Sequence, residues 1–130
     1  MSYVGSILQV EDDEDILEIT RIAIGLFPDV VLFQANTSAE ARRLVNERDL
    51  DLILLDVMMP DADGPATLDW IRKAGFSHIP VIFLTARARS KDVSELMALD
   101  VAGVIKKPFD PLRLLDQIAD LLAGRESHPL

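Results

Sequence analysis

The chain has 130 residues, 49% of them apolar and 27% charged, with a formal net charge of -9 and no cysteine. That is the length of one domain, with enough apolar content for a folded core. The missing cysteines exclude a disulfide framework and thiol chemistry, and the acidic balance argues against direct nucleic-acid binding. No apolar run approaches the roughly 20 residues of a membrane span. Met1 to Ser6 offer no basic segment leading into a signal-like apolar stretch. A cytoplasmic protein without membrane insertion is expected.

Gly5 to Val10 reads as a short strand, followed at once by five acids, Glu11 to Asp15. Apolar residues at 16, 19, 22, 23, 26 and 27 have helical spacing over Ile16–Phe27, which Pro28-Asp29 stops. Val30–Ala35 is a second strand. Ser38 is the expected N-cap of a helix to about Arg48, with Ala39, Ala41, Leu44 and Val45 facing inward. Leu52 to Leu55 reads as a strand buried on both faces. A third helix runs from Pro65 to about Ala74, closed by Gly75. Pro80–Leu84 is a fourth strand, and a fourth helix spans Ser90 or Lys91 to Leu99. Gly103–Lys106 is a short fifth strand. Pro111 opens a last helix to about Leu122, which Gly124 ends. Residues 1–124 therefore form the domain, and 125–130 read as a tail or the start of a linker. Five β-α pairs in strict alternation imply a parallel sheet with helices on both faces.

Asp56 follows the third strand directly. On that stretch alone two readings stand: a turn or cap aspartate, or a carboxylate at the strand edge where open α/β sheets bind ligands. The other strands bear on the choice. The first delivers Glu11 and Asp12 to the same edge, the fourth Thr85 and the fifth Lys107. Clustered carboxylates repel unless a cation sits among them. An oxygen-only donor set of this kind suits Mg2+, which takes one or two carboxylates plus a phosphate. A lysine and a hydroxyl opposite would hold the phosphoryl oxygens.

The sequence resembles the receiver domain of two-component response regulators, of the single-domain, chemotaxis-regulator-like type. The resemblance rests on Ile7-Leu8-Gln9-Val10-Glu11-Asp12, Leu54-Leu55-Asp56-Val57-Met58-Met59-Pro60 with Asp63-Gly64, Leu84-Thr85-Ala86, and Lys107-Pro108-Phe109. It covers about Ser6 to Leu122. It implies a flavodoxin-like three-layer sandwich with strand order 2-1-3-4-5. It implies that Asp56 accepts a phosphoryl group from a sensor histidine kinase or histidine phosphotransfer protein. Asp12, Asp56 and the Met58 backbone carbonyl would ligate Mg2+, with Glu11 acting through water. Lys107 would pair with the acceptor and then the phosphate, Thr85 would be the switch hydroxyl, and the Lys107-Pro108 bond would be cis. The protein would be a switch that promotes its own phosphorylation and dephosphorylation, not a turnover enzyme. Its output would go through the fourth helix, fifth strand and fifth helix to a protein partner, a relay or a homodimer formed on phosphorylation.

Some positions depart from the family pattern or modulate it. Val104 replaces an aromatic residue that swings inward in many relatives, and valine has one stiff torsion. Met58, Ala86 and Arg87 flank the acceptor and the switch hydroxyl. Met58 cannot orient a water by hydrogen bonding and Arg87 can shield the phosphate, so slow self-dephosphorylation is expected. Arg87, Arg89, Lys91 and Lys106 read either as solvated charge or as a docking patch for an acidic partner. Asp13, Glu14 and Asp15 read as helix N-terminal charges, Asp63 and Gly64 as turn residues, Trp70 as half-buried, and His78 and His128 as surface. Two other sheet-based chemistries compete: a haloacid-dehalogenase-like phosphohydrolase, which needs an acid where Met58 stands, and a flavin binder, which needs a phosphate-cradling loop after the first strand. A receiver-like module that is never phosphorylated is the third alternative.

Overall fold

A computed structural model describes Tyr3 and residues 5–126, with 125 and 126 as backbone only. Its elements alternate as β1 (Gly5–Val10), α1 (Glu14–Ile24), β2 (Val30–Ala35), α2 (Ser38–Glu47), β3 (Leu52–Asp56), α3 (Gly64–Lys73), β4 (Val81–Thr85), α4 (Ser90–Met97), β5 (Gly103–Lys106) and α5 (Leu114–Glu126). The strands pair in parallel in the order β2-β1-β3-β4-β5. This is the flavodoxin-like sandwich that the resemblance implies.

Strand periodicity explains why the middle strands are apolar throughout. Successive side chains point to opposite faces, and here both faces are covered. Leu8, Val10, Ile53, Leu55, Val81 and Phe83 pack with residues of α2, α3 and α4, such as Leu44, Ile71 and Leu96. Ile7, Leu52, Leu54, Ile82 and Leu84 pack with Ile24 of α1 and with Leu114 and Ile118 of α5. All residues of β3 and β4 are buried. The sheet is therefore a rigid platform, and the loops at its carboxyl edge are what it can present.

Several boundaries differ from the sequence reading for identifiable reasons. Helix α1 starts at Glu14 because Asp13 caps it, accepting from the Asp15 and Ile16 amides. Its inward face is Thr20, Ala23 and Ile24, while Ile19, Ile22 and Leu26 are 50%, 57% and 67% exposed. A buried polar layer sets that phase. Gln9 of β1 donates to Thr20 Oγ1 (3.2 Å), Thr20 donates to the Ile16 carbonyl, and Gln34 of β2 donates to Gln9 and to the Leu17 carbonyl. An apolar residue in place of Thr20 would take the acceptor from the Gln9 side-chain nitrogen, so the helix turns its polar threonine inward and Ile19 and Ile22 outward.

Thr37, not Ser38, caps α2; Ser38 is the first helical residue and is wholly buried, while Ala39 is exposed. Asp63 caps α3 by accepting from the Ala66 amide at 2.8 Å, and Gly75 has the positive φ (99°) expected of the residue closing that helix. Helix α4 ends at Met97, short of Leu99. Residues 111–113 form a turn, so α5 begins at Leu114 and not at Pro111. It continues through Gly124, where a β-carbon would meet nothing within 4 Å. Residues 127–130, with His128, lie outside the described residues.

One cation ties the sheet's other edge together. Arg72 at the end of α3 donates to the carbonyls of Phe76, Ile79 and Asp100, joining the α3–β4 and α4–β5 connections. Gly64 is pressed against backbone. A β-carbon there would lie 2.8 Å from the Asp56 carbonyl oxygen and 2.9 Å from the Phe83 ring. Gly64→Ala is therefore expected to lower stability by about 1–3 kcal/mol through overpacking. Chemical denaturation measures this, and an unchanged midpoint would mean that the loop after β3 yields freely.

Candidate functional site

Each residue at the carboxyl edge owes its place to a strand. Asp56 is the last residue of β3 and is 4% exposed; Thr85 is the last of β4 and is 2% exposed. Glu11 directly follows β1 and is 1% exposed, whereas its neighbour Asp12 is exposed. Lys107 follows β5, and its amide donates to the Thr85 carbonyl at 2.8 Å. The register explains the convergence: Asp56 pairs with Leu84, and Thr85 with Lys106.

Lys107 is the centre of the electrostatics. Its Nζ lies 3.1 Å from Asp56 Oδ1 and 2.5 Å from Glu11 Oε1. Burial works against the ammonium, but hydrogen bonding to Glu11 and Asp56 outweighs it and raises the Lys107 pKa. For Glu11 burial wins. Its pKa is pushed up to about 7, with Asp56 adding repulsion and Lys107 and the Asp13 amide opposing. Apart from the Lys107 ammonium, Glu11 Oε1 has no donor among the described residues. One carboxylate oxygen each from Glu11, Asp12 and Asp56 lie within 4.8 Å of one another.

Three carboxylates around one lysine leave a net negative, oxygen-lined cluster with an under-satisfied buried oxygen. That donor set fits a hard divalent cation such as Mg2+. The Met58 amide sits 3.4 Å from Asp56 Oδ1, so the residue's backbone borders the cluster while its side chain is 61% exposed.

Thr85 is differently engaged. Its hydroxyl accepts from the Arg87 amide (2.9 Å) and donates to the Arg87 carbonyl (3.2 Å). It therefore holds the start of the β4–α4 loop and makes no hydrogen bond to Asp56 or Lys107. Ala86 and Arg87 are exposed. Met58, Thr85 and Arg87 line one groove with Pro65, Asp92 and Leu96. Val104 is already half-buried against the α2–α4 side of the core. The Lys107-Pro108 bond is cis. Arg89 pairs with Asp92 of its own helix at 3.0 Å, and His78 is exposed beside Phe76.

Two features lay outside the sequence reading. One is an apolar groove beside Lys107, lined by Ile16, Ile19, Pro108, Phe109 and Pro111; the outward phase of α1 creates it. The other is Asp61, whose carboxylate reaches the start of α2; its partners are 22 and 23 residues away in sequence. Among the described residues, no helix is long and apolar enough to cross a membrane.

Comparison with known proteins bears on the family and the fold. The family model of the response regulator receiver domain matches residues 7–119. The chain is 40% identical over 103 residues to the uncharacterized transcriptional regulatory protein YrkP of Bacillus subtilis, covering 79% of this chain and 43% of that protein. It is 34% identical over 118 residues to the transcriptional regulatory protein GltR of Pseudomonas aeruginosa, covering 90% and 48%. It thus spans less than half the length of either. Among solved structures, the Francisella response regulator 1452 receiver domain superposes with a TM-score of 0.82 at 26% identity, over 93% of this chain and 98% of that one. The chemotaxis response regulator CheY4 of Vibrio cholerae, at 22% identity, shares the fold with a TM-score of 0.81 over 92% and 99%. With nearly the whole sheet and all five strand ends inside the matched region, the chain belongs to the response regulator receiver domain family, whose members are phosphoacceptor switches that bind Mg2+ through acidic residues.

Proposed function

We propose that this chain is a phosphorylation-controlled switch of a cytoplasmic two-component system, with Asp56 as the acceptor. The observation that carries this is the Asp56 carboxylate at the end of β3, paired with Lys107 at 3.1 Å and clustered with Glu11 and Asp12. The carboxylate attacks the phosphorus of a phosphohistidine. The P–N bond breaks, the imidazole keeps the electron pair and takes a proton, and an acyl phosphate forms on Asp56. Asp12, Asp56 and the Met58 carbonyl would hold Mg2+, with Glu11 behind them; when bound, the ion neutralises charge on the phosphoryl oxygens. Lys107 supplies the protein's own positive charge at the same place.

Switching follows from Thr85. Its hydroxyl now serves the Arg87 backbone. A phosphoryl group brings roughly −1.5 to −2 charge and three strong acceptors, a better partner than a carbonyl. Moving the hydroxyl onto it releases the β4–α4 loop, which leads into the α4–β5–α5 output face. Val104 passes this on by packing, without an aromatic swing. On that face Arg89 is spent on Asp92, so the cationic surface offered to an acidic partner is Arg87, Lys91 and Lys106. Met58 and Arg87, which line one groove with Thr85, support a long-lived acyl phosphate, and the relay or partner-binding forms of output both need one. With beryllofluoride and Mg2+, amide NMR shifts should spread through residues 86–106 in wild type and collapse to the site itself in Thr85→Ala. Equal shifts in both would remove Thr85 as the coupling residue.

A phosphohistidine donor needs a surface, and the groove of Ile16, Ile19 and Phe109 borders Lys107. Ile19→Glu is expected to slow phosphoryl transfer from a protein donor about tenfold or more, and to leave uptake from acetyl phosphate unchanged. Loss of both would indicate damage to the fold. Unchanged transfer would place the donor elsewhere. A haloacid-dehalogenase-like hydrolase lacks its proton donor at Met58, and a flavin phosphate would meet the acids after β1, so neither alternative has a supporting group.

A further inference from the structure

The loop between β3 and α3 carries Met58, and it is fastened to an element that the proposed chemistry does not use. Its ends are held by backbone bonds, Val57 to Leu84 (3.2 Å) and Gly64 to Val57 (2.9 Å), and Met59 is buried. In its middle, Asp61 turns away from the acidic cluster. Its Oδ1 accepts from the Ser38 amide at 3.0 Å and its Oδ2 from the Ala39 amide at 3.2 Å. These are the first two amides of α2, which have no partner within the helix. They hold the Asp61 carboxyl below its usual pKa. Thr37 caps only the third, the Glu40 amide at 3.1 Å. A second tie lies beneath: the Ser38 and Thr67 hydroxyls, both wholly buried, hydrogen-bond at 2.7 Å and join α2 to α3.

The start of α2 is therefore bonded to both the loop and the helix that follows it. Helix α2 is itself anchored in the core by Ala41, Leu44 and Val45. A carboxylate spread over two amides resists both sliding and rotation, which one bond would not. We propose that Asp61 is a positioning residue for the cation site: by bracing the loop against α2 it fixes where the Met58 carbonyl points. This rests on the reading of that carbonyl as a Mg2+ ligand. Groups that hold a metal ligand in place commonly set affinity by about tenfold or more, and Asp61 holds the loop three positions after Met58.

The alternative is that Asp61 only caps a helix. Thr37→Ala separates the two, because it removes a cap of the same helix without touching the loop. Mg2+ would be titrated calorimetrically at pH 8 into wild type, Asp61→Ala, Asp61→Asn and Thr37→Ala, with thermal melts of each. Asp61→Ala should bind Mg2+ about tenfold more weakly. Asp61→Asn keeps one of the two amide acceptors, and should bind Mg2+ more weakly than wild type and no more weakly than the alanine variant. Thr37→Ala should melt lower by a few degrees, like Asp61→Ala, with unchanged affinity. Equal affinity in Asp61→Ala and wild type would overturn the positioning role and leave the switch intact. Asparagine binding Mg2+ as tightly as wild type would show that the two-amide brace is not needed and also overturn it. Wild type that fails to bind Mg2+ would overturn the metal reading together with this one.

Discussion

Lys107→Met is expected to cost the metal-free protein on the order of 3 kcal/mol and to slow phosphoryl uptake from acetyl phosphate about 10²- to 10³-fold. Lys107 is the one cation within ion-pair distance of Asp56 and Glu11 among the described residues. Its side chain is only 13% exposed, and that of Glu11 is 1%, so water cannot replace it cheaply. Methionine keeps much of the aliphatic stem, and the loss is therefore of charge more than of packing. Two buried carboxylates would face each other without compensation. Saturating Mg2+ should restore much of the stability, since a cation then neutralises the same oxygens. It should restore little of the rate, because the ammonium is a separate donor to the transferred group. Urea denaturation with chelator and with Mg2+ separates these terms. A variant as stable as wild type without metal would mean that Lys107 does not balance the acids.

The second large effect concerns protons. Glu11 is raised from 4.5 to about 7 by burial first, with Asp56 adding to it. Below pH 7 the metal-free site therefore carries a proton that the cation must displace. Mg2+ affinity should fall about tenfold per pH unit below that point, and binding at pH 6 should release nearly one proton. Calorimetry in two buffers of different ionisation heat reads the proton directly, and Glu11→Gln should abolish it.

The stability linkage has a definite sign. The folded state holds this proton more tightly than the unfolded chain, so it binds more protons between pH 4.5 and 7. Stability contributed by Glu11 is full below the unfolded value and is lost as pH rises through about 7. The difference between wild type and Glu11→Gln isolates this slope from carboxylates such as Asp61 and Asp92, whose pKa values are lowered and whose contributions run the opposite way. A flat difference across pH 4.5–7 would contradict the buried, raised Glu11.

The sheet was legible because burial on both faces demands unbroken apolar runs, and Leu52–Leu55 and Val81–Leu84 have no other use. The site was legible for the same reason: a parallel strand delivers its next residue to a known edge, so Glu11, Asp12, Asp56, Thr85 and Lys107 could be brought together before any contact was seen. What could not be read was set by polar side chains with distant partners. Gln9, Thr20 and Gln34 decide the phase of α1, and no hydropathy pattern contains their hydrogen bonds. Adjacent Thr37 and Ser38 are both good caps, and only the buried Thr67 shows why Ser38 lies inside. Arg72 reaches Asp100 across 28 residues, and Asp61 reaches Ser38 across 23. Glu11 and Asp12 look alike in sequence, yet one is buried and one exposed, which is what makes their proton chemistry differ.

On the proposed function, Asp56 accepts a phosphoryl group in a Mg2+-dependent reaction. Intact mass after incubation with acetyl phosphate and Mg2+ tests it most directly, in wild type, in wild type with chelator, and in Asp56→Asn. Wild type with Mg2+ should gain one phosphoryl group and lose it again in hydroxylamine, as an acyl phosphate would, and the other two samples should gain none. A stable adduct in Asp56→Asn, or equal uptake without Mg2+, would contradict it.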